Sequence, residues 1–489
     1  MIRMKKLAVA AAIAIVSGSA SAQVAPAITG GNVLNGTGNN TYSTSTNTPW
    51  LPSATDKNGT FHAGGVAACD GCHVMHNASS GNIRSTRTAP WNNAVPAYLL
   101  QGTDQSSTCL ICHGSSNTAV TVAGSGTPFV MTNTSTNAAY MQYTPGGDFG
   151  WLNIGGTSEP STKSHGHNVV ALEFGFTADA RTAPGGVYTG AASGAAAFAC
   201  SNCHDPHGRY RMQDAGGGAW TWAYPKGTGS AAITKPIYSS GSYGALPTAD
   251  AAVGAYRLLA GKGYLPASNV NSAGFAFIAN PPVAVAPTGY NKQETGGGAA
   301  NEVRVAYGAG MSEWCQNCHT SIHMNNYTSG SQGGTGLRHP AGSDAQFKLE
   351  QYNIYNSYVS SGVWDTTAAN RYTSLVPFET GKTFVYDGNG GQNAWITTLE
   401  AAAAPNANPA IFAASASSTV MCLSCHRAHA SGFAGMTRWN VDDTFITNGS
   451  AFVDTQGRGA LLQAAYYGRA AGNFGAFQRS LCNKCHGKD

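Results

Sequence analysis

Twelve cysteines fall into six Cys-x-x-Cys pairs, and a histidine follows each pair at once. The six sets are Cys69/Cys72/His73, Cys109/Cys112/His113, Cys200/Cys203/His204, Cys315/Cys318/His319, Cys422/Cys425/His426 and Cys482/Cys485/His486. With histidine at only 14 of 489 residues, six such coincidences have a probability on the order of 10⁻⁹. Six disulfides would not need the histidines, zinc would need only the cysteine pairs, and thioredoxin-like chemistry does not come in six copies. C-x-x-C-H is the attachment motif of c-type haem. Two thiols add across the two vinyl groups, one helical turn between them matches the vinyl separation, and the next imidazole lies over the iron. The sequence therefore predicts six covalently attached haem c groups, with the twelve cysteines as attachment points. The six motif histidines are their proximal iron ligands.

Eight histidines remain, and their placement is ordered. The first, third and fifth motifs continue as CxxCHxxH, supplying His76, His207 and His429, and upstream of each lies another histidine, His62, His167 or His339. The chain thus reads as three repeats of His … CxxCHxxH … CxxCH, with one distal imidazole for each iron. His165 and His323 are left over, His323 being the stronger rival because it closely follows the fourth motif. No methionine repeats in register with the motifs, so Met/His pairs, which raise the potential, are not expected. Six bis-histidine haems of low potential are. Which upstream histidine serves which even-numbered haem stays open.

A CHxxH histidine shares a helical face with the proximal one, yet one rigid turn cannot place both on opposite sides of one iron. It must reach a different haem, and this tethers two haems into near contact. If each serves the first haem of the preceding repeat, His207 ligates haem one and His429 haem three. His76 then has no preceding repeat in its own chain, and its partner is haem five of another subunit. A head-to-tail contact of that kind generates a filament when its rotation does not close.

Composition fits a core that side chains do not dominate. Charged residues are 10%, against about 25% in an ordinary soluble chain, and glycine is 62 of 489 residues. The expected fold is a multihaem cytochrome c, mostly coil with short α-helices and little β-structure, its core built by six stacked haems. Arg3, Lys5 and Lys6, an apolar run over Leu7–Val16 and Ala20-Ser21-Ala22 read as a secretory signal peptide over residues 1–22. No stretch of about 18 apolar residues suggests a membrane span. Cleavage removes three positive charges and takes the formal balance from +4 to +1, so the basic character gives no reason to expect nucleic-acid binding. Residues 23–60 form a Thr-, Asn-, Ser- and Gly-rich extension. The rest divides into 61–160 (haem pair 1/2), 161–330 (haem pair 3/4) and 331–489 (haem pair 5/6), three repeats in one continuous haem-packed module.

Longer strings surround the motifs: FHAGGVAACDGCHVMHN from Phe61, TPGGDFGW from Thr144, GHNVVA from Gly166, CSNCHDPHGRYR from Cys200, RVAYGAGMSEWCQNCHTSIH from Arg304, LRHPAG from Leu337, CLSCHRAHASGF from Cys422 and the terminal LCNKCHGKD. By these the chain resembles the OmcS-type extracellular hexahaem c-type cytochromes, the cytochrome nanowire filament family, from about Phe61 to the C-terminus. The resemblance implies parallel-stacked haem pairs alternating with T-shaped contacts. It also implies that His76 ligates a haem of the adjacent subunit, and that His167 rather than His165 is the ligand in GHN. Mature chains of that type begin near the Phe-His of FHAGG, so residues 23–60 are a departure.

The expected function is a secreted hexahaem cytochrome at the outer cell surface. It polymerises with itself head to tail and conducts electrons to external acceptors such as metal oxides or electrodes, in company with other surface cytochromes. A monomeric periplasmic or cell-surface carrier is the alternative. A multihaem oxidoreductase would need an iron with an open distal position, and six distal candidates for six irons argue against an enzyme. A pyridine haemochrome assay on the secreted protein is expected to return six haems per chain; a zinc or disulfide protein would return none.

Overall fold

The computed structural model describes residues 72–73, 78–79, 82–83, 99–114, 129–132, 143–153, 165–178, 198–207, 211–214, 220–223, 253–254, 258–266, 276–282, 284–285, 305–319, 339–343, 345–357, 375–380 and 413–487. The signal peptide, the 23–60 extension, His62, Cys69, His76 and His323 lie outside these residues, as does the Cys112 side chain. The described chain is mostly coil, as its composition suggests. Its longest helices, Gln105–His113 and Leu349–Ser357, have nine residues each. A three-stranded antiparallel sheet places Arg211–Asp214 between Trp220–Ala223 and the two-residue strand Val253–Gly254. No helix among the described residues is long and apolar enough to cross a membrane.

Most motifs need only one turn of helix, and local capping supplies it. Gln105–His113 carries the second motif and starts at Asp104, whose carboxylate accepts from Ser107 N and Ser107 Oγ, each at 2.7 Å. The third motif forms a 3-10 turn at Cys200–Asn202, where Asn202 Oδ1 accepts from Ala199 N at 2.7 Å. The fifth forms one turn at Cys422–Cys425, and there Ser424 Oγ takes the Met421 N–H at 3.1 Å. The residue two places after the first cysteine thus caps its own turn in both.

The three odd-numbered motifs share a second device. Each lies antiparallel to a downstream segment, giving the bridges His73↔Leu100, His204↔Leu259 and His426↔Thr437. In each, the next N–H of that segment bonds back to the motif's second cysteine: Gln101 N to Cys72 O, Ala260 N to Cys203 O and Arg438 N to Cys425 O, at 2.8–2.9 Å. The residue just before each bridge has positive φ: Leu99 at 56°, Leu258 at 57° and Met436 at 62°. Left-handed backbone costs a non-glycine residue about 1–2 kcal/mol. The same strain at the same place in all three repeats marks a shared local geometry.

Even-numbered motifs meet the odd ones that follow. Cys200 N donates to Ser106 Oγ at 3.2 Å and Cys422 N to Ser312 Oγ at 3.1 Å. In both cases the acceptor stands three residues before the preceding motif's first cysteine, so motif two meets motif three as motif four meets motif five. These contacts cross the boundaries between the sequence repeats. The largest apolar cluster joins Phe149 and Trp151 to the C-terminal repeat, where Phe433, Phe452, Tyr466 and Phe474 pack ring against ring at 4.6–5.7 Å.

Glu379 lies between the fourth and fifth motifs and is 1% exposed. Its Oε1 accepts from Met311 N at 2.7 Å and its Oε2 from Thr419 Oγ1 at 3.2 Å. Burial, reinforced by the nearby Glu313 carboxylate, outweighs these hydrogen bonds and pushes its carboxyl up to about 7. A raised acid binds its proton more tightly in the folded state. Stability should therefore be full below about pH 4.5 and fall as pH rises towards 7. Glu379→Gln is expected to flatten that slope in urea unfolding followed by circular dichroism. It should gain up to roughly 3 kcal/mol at pH 8 and nothing at pH 4.

Candidate haem centres

Four motifs hold their histidine by the same backbone bond. His204, His319, His426 and His486 donate their N–H to the carbonyl of the first cysteine of their own motif at 2.9–3.1 Å. This closes one helical turn and brings the two cysteines and the imidazole to one side of it. Among the described residues no two cysteines form a disulfide.

Four motif histidines face a second imidazole. His73 and His207 stand with ring centres 6.4 Å apart, His204 and His429 6.2 Å, His167 and His319 6.0 Å, and His339 and His486 6.0 Å. The rings are too far apart to touch, but the gap has a meaning. A metal–imidazole bond of about 2 Å plus about 1.2 Å from nitrogen to ring centre, taken on both sides, gives about 6.4 Å. One iron fits between each pair. The angle between ring planes runs from 8° to 87°, which rotation about the ligand–metal axis permits. Among the described residues no group of three or more His, Cys, Asp and Glu is placed to hold a bare metal ion. A pair of imidazoles beside two thiols is too few donors for a bare metal ion and would suit a metal that brings a macrocycle with it, so the donor set fits haem c.

The pairs give four of the six distal candidates a place. His207 and His429, from the CHxxH extensions, reach the first and third motifs, one repeat back. His167 and His339, the upstream histidines, reach the fourth and sixth. For His113 the upstream candidate is His62, which lies outside the described residues together with His76. His426 is exposed, its Nδ1 bonded to Gly435 O at 2.8 Å, and no second imidazole faces it among the described residues. His165 is buried with Nδ1 2.9 Å from Ser431 O and Nε2 3.3 Å from Arg458 Nη2, so both nitrogens serve packing.

Second contacts orient these rings. His167 Nδ1 donates to Ala428 O at 2.5 Å, His339 Nδ1 to Pro340 O at 2.7 Å and His429 Nδ1 to Gly147 O at 3.3 Å, leaving Nε2 for a metal. Burial lowers the His167 pKa, against the raising effect of the Ala428 carbonyl, and favours the neutral form that a metal takes.

Three strings converge on this region from distant parts of the chain. TPGGD makes a turn closed by Gly147 N to Thr144 O at 2.9 Å, with Gly147 at φ +95°. On it lies the His426–Ser431 segment, His429 N donating to Gly146 O at 2.6 Å. The GHN segment runs along the other side, with His167 N to His429 O at 2.9 Å, Ser431 N to His165 O at 2.8 Å, and the bridge Gly166↔Ala430. Arg427 is buried within CHRAH; its guanidinium lies 3.2 Å above the Tyr467 ring and donates to Pro145 O at 3.3 Å. Sequence reasoning gave no role to Gly146, Gly147, Phe149 or Arg427. The only signal was that TPGGDFGW is too specific a string for a loop.

No protein-family model matches the chain. The C-type cytochrome OmcS of Geobacter sulfurreducens is 42% identical over 457 residues, which cover 88% of this chain and 94% of OmcS. Two solved structures, described as the outer membrane cytochrome S filament and the OmcS nanowires of that organism, superpose with TM-scores of 0.67 and 0.66. Each shares 42% identity and covers 88% of this chain and 100% of the solved one. With identity of that level over most of both sequences, the chain belongs to the OmcS family of c-type cytochromes and carries covalently bound haem c.

Proposed function

We propose that this protein is a secreted hexahaem cytochrome that polymerises head to tail at the outer cell surface into an electron-conducting filament. Electrons leave it for external acceptors such as metal oxides, and the protein is not an enzyme. Six haems are held by the twelve motif cysteines and the six motif histidines. The distal ligands are His207 for the first centre, His62 for the second, His429 for the third, His167 for the fourth and His339 for the sixth. The fifth, on His426, receives His76 of the next subunit. The observation that carries this reading is the 42% identity, over 88% of this chain, to OmcS, a cytochrome whose solved structures are filaments. The filament form of OmcS supports it.

Bound haem supplies a one-electron couple at each centre. The chain's own residues do the rest. With haem bound, the paired imidazoles would hold the iron between them and would leave no open position for a substrate. The CHxxH tethers place His204 beside the first centre and His426 beside the third, three residues from the distal ligand in each case. Hydrogen bonds from Cys200 N to Ser106 and from Cys422 N to Ser312 fix motif against motif. The order of centres then follows the order of the sequence, and His76 continues that order into the next molecule.

His76→Ala is expected to leave five haems per chain spectroscopically normal, to perturb one, and to abolish filaments in negative-stain electron microscopy. Normal filaments from that variant would overturn the head-to-tail reading and favour a monomeric carrier.

A further inference from the structure

The crossing of Thr144–Asp148, His165–Asn168 and His426–Ser431 holds more than one imidazole. His429 faces His204, His167 faces His319, and His426 begins the same six-residue run whose Ala428 carbonyl fixes His167. Three glycines set how closely the three segments approach: Gly147, whose Cβ would run into Ala430 O, and Gly146 and Gly166, which bear on the imidazoles. A Cβ on Gly146 would stand 2.7 Å from Nδ1, 2.9 Å from Cε1 and 3.0 Å from Cγ of His429, so this position touches the ring and nothing nearer. A Cβ on Gly166 would stand 2.4 Å from His429 O and 2.6 Å from the Ala430 Cβ. His429 O is the atom that receives the His167 N–H. Pressure at Gly166 therefore reaches both imidazoles, whereas pressure at Gly146 reaches one.

Little else in the crossing can yield. Phe149 stacks on the His429 ring at 4.7 Å and 22°. The turn is anchored by Asp148, whose Oδ1 accepts from Thr132 N at 2.8 Å and Gly150 N at 2.7 Å. On the far side Tyr467 Oη donates to Thr144 O at 2.6 Å and Arg427 donates to Pro145 O. Packed backbone has discrete arrangements rather than a soft range, so an added methyl must move the imidazoles.

We propose that this crossing is a shared positioning element for the third and fourth haem centres, with Gly146 a positioning residue for His429 alone and Gly166 one for His429 and His167 together. The proposal rests on the assignment of His429 and His167 as distal ligands. Axial bond length and ring basicity follow the position of the imidazole and the hydrogen bond on its other nitrogen. A displaced ring would therefore change the spin state of its own centre while leaving the ligands of the others in place.

The test uses full-length protein carrying its haems, with haem content checked by pyridine haemochrome and intact mass. The readouts are low-temperature electron paramagnetic resonance and a redox titration. His429→Ala is the reference and is expected to convert one haem in six from its low-spin bis-imidazole signature. Gly146→Ala should alter that same one, and Gly166→Ala should alter two, at unchanged haem content. Phe149→Leu, which removes a ring contact without adding an atom to the crossing, should alter one and serves if Gly166→Ala does not accumulate. An effect of His429→Ala with none from Gly146→Ala or Phe149→Leu would overturn the positioning role, as would a uniform change over all six. If His429→Ala itself alters no haem, the ligand assignment fails first and the proposal with it.

Discussion

Two imidazoles held with ring centres 6.0–6.4 Å apart do nothing for each other. The gap exceeds the contact distance of about 3.5–4 Å at which dispersion is worth having. A chain that keeps four such gaps has been shaped around something that fills them. Much else follows from this constraint. Helices stay at a turn or two because each has only to present two thiols and a ring. Coil predominates because a flat macrocycle accepts backbone on its faces as readily as side chains. The polar groups of that coil are then met one at a time, by Asp104, Asn202, Ser424 and Asp148, rather than by long ladders.

Few charges are available for this work, and several of the cations are turned inward. Arg438 donates from Nε to Leu423 O at 2.5 Å and to His426 O at 3.1 Å, spanning the fifth motif from the end of one turn to the other. Lys484, inside the sixth motif, reaches Tyr355 O at 3.1 Å with its ammonium 4.3 Å above the Tyr355 ring. With Arg427 on Tyr467, these long side chains tie carbonyls of irregular segments together, the task that helix and sheet perform in an ordinary core. In a chain with 27 Lys and Arg among 489 residues, such a use is conspicuous.

What could be read from the sequence was whatever is local. The CxxCH turn, the CHxxH tether and the coil-rich architecture all depend on residues a few places apart or on overall composition. Three features escaped for a common reason. Leu99, Leu258 and Met436 take a left-handed backbone that glycine or asparagine would have announced, and none of them is either. That His167 stands opposite His319 and His339 opposite His486 is a matter of distance in space, which spacing along the chain does not encode. Gly146 acquires its meaning only from a histidine 283 positions later. His165 stood beside His167 with the same chemistry, and its burial against Ser431 and Arg458 separates the two.

Those separations bear on the order of events in the life of the molecule. The hydrogen bonds among the three crossing segments join residues 261 to 283 positions apart, and Arg458 meets His165 across 293. Contacts so distant in the chain close late, since the loop entropy is lost before they return anything. A polypeptide emerging from its N-terminus has the third motif in hand long before residue 429 arrives to stand opposite His204. Thiols must be reachable while the haems are being attached, and this topology keeps them so. The crossing cannot close before the last repeat is made, which leaves the earlier thiols open to attachment until then.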